Sequence, residues 1–110
     1  MGNKKLIPIK LDKDRNLLMD MNAMAAFENV TDHKNFFDFI QESKGKFTAN
    51  ELRAFLWSML IHEDKDIKLE DVGAMIRTDN INEITDALLA AQTANVSDIK
   101  DNVPLAPTQA

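Results

Sequence analysis

The chain has 110 residues, enough for one domain around one modest core. Its net charge of −5, from 18 acidic against 13 basic residues, favours solubility and argues against nucleic acid as a partner, since binding a phosphate backbone requires clustered cations. The chain has no cysteine, which excludes disulfide scaffolds, thiolate metal sites and thiol nucleophiles and agrees with a reducing compartment.

The N-terminus, Met1 to Pro8, carries Lys4 and Lys5 but no apolar run of secretory or membrane-spanning length. Gly2 is followed by Leu6 where a myristoylation signal needs Ser or Thr. The expectation is a cytoplasmic protein with no membrane partner.

Residues 5–20 read as two short strands around a polar turn. Leu6, Ile7, Ile9 and Leu11 precede Asp12-Lys13-Asp14-Arg15, and Leu17, Leu18 and Met19 follow. Pro8 cannot donate to a ladder, so the first strand is predicted at an edge or with a bulge. From Met21 the period becomes helical, with Ala23, Met24, Phe27 and Val30 on one stripe. Thr31-Asp32-His33 breaks that helix. A second runs from Lys34 to Gln41 with Phe36, Phe39 and Ile40 inward, and Gly45 supplies the positive φ of the following loop.

Thr48-Ala49-Asn50-Glu51 fits a capping box, with Phe47 placed as a hydrophobic staple toward Leu52. The helix it starts repeats Leu52, Phe55, Leu56, Met59 and Leu60 at i, i+3, i+4, i+7 and i+8. Trp57 and Ile61 fall off that stripe, so this helix is apolar on more than one face. After the charged loop His62 to Asp66, a fourth helix spans Leu69 to Ile76 with Leu69, Val72 and Ile76 inward. Gly73 in its interior costs about 1 kcal/mol relative to Ala, which points to close helix packing. Asp79 or Asn80 caps a fifth helix, whose inward stripe is Ile81, Ile84, Leu88 and Ala91. The pattern fades after Ala94. The fold class is therefore mainly α (α+β): an N-terminal β-hairpin and about five short helices in one domain over residues 1–93, with a flexible C-terminal tail over 94–110.

Catalytic machinery is missing from the sequence. His33 and His62 lie in loops without a neighbouring nucleophile or a second ligand at metal spacing, and read as surface histidines. No His-Glu-x-x-His, Gly-x-Ser-x-Gly or phosphate-binding glycine loop occurs, and the carboxylates sit in exposed turns where nothing raises a pKa. The expectation is a non-enzyme without cofactor or metal. Asp12-x-Asp14-x-Asn16 copies the first three ligand positions of an EF-hand loop. Leu17 then stands where glycine is needed, and Ala23 where the bidentate glutamate belongs. A solvated turn is the preferred reading, and a degenerate EF-hand-like regulatory module is the second function the residues allow.

Phe37, Trp57 and Ile61 all fall outside their helices' buried stripes and are the candidate partner-binding residues. The alternative is that a five-helix domain surrounds the third helix and buries both its faces. The six methionines (Met1, Met19, Met21, Met24, Met59 and Met75) suit an adaptable surface as well as a core.

The segment from Phe47 to Leu60, with Phe55-Leu56-Trp57 inside it, and the segment from Leu69 to Ile76 with Val72-Gly73 resemble phage tail assembly chaperones. The branch most similar is that of gene transfer agents and siphophage-like prophages. There a helix carrying Leu-Arg-x-x-Leu-Trp leads through an acidic loop to a Leu-x-x-Val-Gly helix. Asn22 to Glu28 is similar to the family's first helix, and Asn29-Val30-Thr31-Asp32 departs from its glycine-containing turn. The resemblance covers residues 6–92. It implies a non-catalytic chaperone that binds the tape measure protein and recruits tail tube subunits. Such proteins act in the host cytoplasm and are absent from the finished virion; for this chain the expectation adds a weak homo-oligomer. Many also exist in a second, frameshifted form.

Overall fold

Two short strands open the chain in the structure, a computed structural model that describes residues 6–33 and 35–102, with side chains among them as far as Ala94. β1 (Ile7–Lys10) and β2 (Asp14–Leu17) pair antiparallel, with Ile7 opposite Leu17 and Ile9 opposite Arg15. Those four side chains share the inward face, where Arg15 and Leu17 are buried and the isoleucines half-buried. The connection is Leu11 to Lys13, closed by the Leu11 N–H to the Lys13 carbonyl at 2.9 Å. Asp14 and Arg15, expected in the turn, belong to β2. The polar run hides one further alternation, in which Arg15 and Leu17 face the same way.

Pro8 lies opposite Asn16. The Asn16 N–H points away from β1, to Glu63 Oε1 at 2.9 Å, and the Asn16 carbonyl accepts from His62 Nε2 at 2.7 Å. This is therefore a pair that exchanges no ladder hydrogen bonds, and the missing donor of Pro8 costs the hairpin nothing.

Five helices follow: α1 (Met21–Val30), α2 (Phe36–Ser43), α3 (Ala49–Leu60), α4 (Leu69–Met75) and α5 (Ile81–Asn102). Asp20 caps α1 by accepting from the Ala23 N–H at 3.0 Å. α2 starts at Phe36, not Lys34, because Asn35 caps it through the Asp38 N–H; Lys34 itself lies outside the described residues. Both Lys44 (φ 52°) and Gly45 (φ 82°) take the left-handed conformation that ends α2.

α3 is the centre of the fold and packs against α1, α4, α5 and β2. Phe27 (α1), Phe36 and Phe39 (α2) and Phe55 (α3) are all but fully buried, and Phe36 and Phe39 both meet Phe55 edge-on at 5.8 Å between centroids. Each fully buried phenylalanine contributes about 1.5–3 kcal/mol relative to an exposed one. Phe47 closes this cluster with its ring 5.4 Å from Phe55 and 5.6 Å from Phe39.

α5 packs on the hairpin and α3 through Ile84, Leu88 and Ala91. Ile81, expected in that stripe, is 37% exposed, because it precedes the turn that reaches the core. α5 also runs on to Asn102, through the expected domain boundary at residue 94; the remainder of the predicted tail, residues 103–110, lies outside the described residues.

Candidate partner-binding surface

The start of α3 is built as the sequence predicts. Thr48 Oγ1 accepts from the Glu51 N–H at 3.1 Å, and Glu51 Oε1 accepts from the Thr48 N–H at 2.9 Å. Leu52, Phe55, Leu56, Met59 and Leu60 are buried, as are Ala54 and Ser58. Past the first turn the half-buried positions are Arg53, Trp57 and, just beyond the helix, Ile61. Four-residue spacing makes these three a single ridge along α3.

Trp57 and Ile61 line one groove of about 400 Å³ with Leu18, Asp20, Asn22 and Lys65. Trp57 is not free of structural duty, since its Nε1–H donates to the Ile67 carbonyl at 3.0 Å and fastens the loop between α3 and α4. The indole is thus half-buried: it packs against the core and also borders an open groove. The groove combines an aromatic wall with acid, base and amide at its rim, which can orient a bound polypeptide. Phe37 lies elsewhere. It is 37% exposed on α2, packs against Phe36 at 6.0 Å between centroids, and does not line this groove.

His33 is half-buried rather than a surface residue. Its ring stacks on Phe27 at 5.9 Å and 10°, lies 4.6 Å from Phe39, and its Nε2 donates to Glu51 Oε2 at 2.7 Å. Burial works against the Glu51 charge, but the Thr48 N–H and His33 outweigh it and hold the carboxyl below the usual glutamate range. His62 is exposed.

Asp12 and Asp14 sit in a hairpin, not in a loop between two helices. Both oxygens of Asp12 are taken by Arg15, through Nε at 2.7 Å and Nη2 at 2.9 Å. That hydrogen-bonded guanidinium lowers the Asp12 pKa against the opposing effect of burial. Arg15, 5% exposed, also donates to Asp64 at 3.3 Å. Among the described residues, no group of three or more His, Cys, Asp or Glu side chains is placed to hold a metal ion.

Sequence reading missed Arg53. Its Nε is buried without a hydrogen-bond partner, and its Nη2 donates to Asn50 at 3.2 Å. Its stem crosses α4 at Gly73, where an added Cβ would stand 3.1 Å from Arg53 Cδ. The glycine signalled a close approach; nothing in the sequence said that an arginine makes it.

No family model matches the chain, and no curated protein or solved structure shows significant similarity to it. Among the described residues, no helix is long and apolar enough to cross a membrane.

Proposed function

We propose that this chain is a non-catalytic binding protein of the phage tail assembly chaperone type. In this reading it acts in the cytoplasm of the host cell, keeps the apolar helices of a tape measure protein soluble, recruits tail tube subunits, and leaves before the virion is complete. The observation that carries the proposal is the ridge of Trp57 and Ile61 above an open groove on the central helix. An aromatic anchor beside a polar rim is the composition expected of a protein-binding patch. The resemblance of residues 47–60 and 69–76 to tail assembly chaperones supplies the client, and the net charge of −5 suits a protein that must keep an aggregating client in solution.

The test is co-expression with a tape measure protein. The client should be recovered soluble and bound to this chain. Ile61→Asp should abolish co-purification while costing only part of the fold's stability, because Ile61 is half-buried at the groove and lies beyond the end of α3; a melt confirms that the variant is still folded at the working temperature. A client that stays insoluble, or one held equally well by Ile61→Asp, refutes the assignment. Phe37→Asp separates the two candidate patches: unchanged binding removes Phe37 from the contact surface.

A further inference from the structure

We infer that the groove between α3, α4 and the start of α5 is a second docking site, which takes an acidic amphipathic helix of a partner protein through an apolar side chain and a carboxylate. The groove has a volume of about 420 Å³ and is walled by Ala49, Leu52, Gly73, Ile76 and Ile81, with Arg53 and Asn50 as its polar members. Trp57 does not line it, so this site goes beyond the surface proposed above.

Two independent observations select the occupant. The first is shape and apolarity. Helices wall the groove, aliphatic side chains line it, and Ile81 forms a lip that is 37% exposed, all of which fits a helix laid into a groove with aliphatic anchors. The second is charge. The chain has three arginines. Arg15 is paired with Asp12 and Asp64, and Arg77 with Asp79. Among the described residues Arg53 has no carboxylate within ion-pair distance, and its buried Nε–H has no acceptor at all. Arg53 is also the one charged residue among those lining the groove.

Because no carboxylate of the described residues pairs with this guanidinium, one presented by a partner at the groove gains a charge-assisted bond without displacing another. Gly73 contributes by omission. Without a Cβ it lets the Arg53 stem lie along α4, so the cation is held at the groove rather than extended into solvent. A basic helix would be repelled by the guanidinium and a neutral one could offer it only an uncharged acceptor, which gives the site its preference for acidic partners.

The experiment uses the full chain, ¹⁵N-labelled, and three amphipathic peptides of about 16 residues, long enough to form helix. Their apolar faces are identical leucine stripes, and their polar faces carry glutamate, glutamine or lysine. The glutamate peptide should bind about tenfold tighter than the glutamine peptide, as one charged hydrogen bond provides. It should shift the Arg53 Nε–H and the amides of Gly73 and Ile76. In Arg53→Met the preference for glutamate should collapse. Should that variant fail to fold, Ile81→Glu at the exposed lip offers Arg53 an internal carboxylate and should remove the preference in the same way. Equal binding of the glutamate and glutamine peptides overturns the proposal. So does a set of shifts confined to the Trp57 indole, which reports the other surface and leaves the chaperone reading standing. Concentration-dependent shifts of Gly73 and Ile76 without peptide would instead assign the groove to a second copy of this chain and overturn the partner helix.

Discussion

His33 and Glu51 meet at 2.7 Å, Nε2 to Oε2, across 18 residues of chain. The other oxygen of the same carboxylate holds the Thr48 N–H. One side chain thus starts the central helix and ties down the loop between α1 and α2. Because its pKa is lowered in the folded state, Glu51 stabilises the fold above the ordinary glutamate range, and that contribution is lost as pH falls through the lowered value. Glu51→Gln should cost about 1 kcal/mol at neutral pH. Denaturant melts at neutral and strongly acid pH should show the gap to the parent chain closing in acid.

Arg15 is a buried cation whose partners are partly exposed: Asp12 at 45% and Asp64 at 35%. Removing the cation returns two carboxylates to water, whereas removing both carboxylates strands the cation. Arg15→Met should therefore be close to neutral, and the double change Asp12→Ala with Asp64→Ala should cost about 3 kcal/mol. Urea midpoints for the two variants give the order directly.

Gly73 is a test of space. Alanine there gains up to about 1 kcal/mol of helix propensity, and the Arg53 stem need yield only a few tenths of an ångström. Gly73→Ala should raise stability slightly, while Gly73→Leu evicts the Arg53 stem and should destabilise by about 2 kcal/mol. Thermal melts of both variants check the reversal of sign.

Periodicity made the hairpin and the five helices legible because each buries a regular stripe. The capping box at Thr48 and Glu51 was legible for the same local reason, since its donors and acceptors lie within one turn. What escaped was non-local. Arg15 reads as a turn residue until Asp64, 49 positions away, gives it a distant partner. His33 reads as exposed until Phe27 and Phe39 enclose its ring. The end of α5 escaped because a helix can continue on propensity after its apolar stripe has stopped. Of the three candidate surface residues, Trp57 and Ile61 share a groove by helical spacing, whereas Phe37 belongs to another helix whose placement the pattern does not specify.

Trp57 has separable duties. Trp57→Phe keeps most of the ring contact but frees the Ile67 carbonyl, and should cost about 1 kcal/mol. Trp57→Ala also loses the packing and should cost about 2–3 kcal/mol, less than a fully buried tryptophan. If the groove binds a client, Trp57→Phe should weaken that complex by much less than Trp57→Ala; calorimetric titration of both against the same client makes the comparison.

Backbone groups of Asn16 and Leu18, on β2 and just after it, make three bonds to the end of α3 and the loop beyond: the Asn16 N–H to Glu63, His62 to the Asn16 carbonyl, and the Leu18 N–H to the Met59 carbonyl at 3.2 Å. A two-stranded hairpin is at best marginal on its own in water. Its amides should accordingly lack a private opening equilibrium and exchange their hydrogens at the same free energy as those of α3. Native-state exchange would then find the hairpin among the slowest regions, ordered only once a helix some 45 residues downstream is in place.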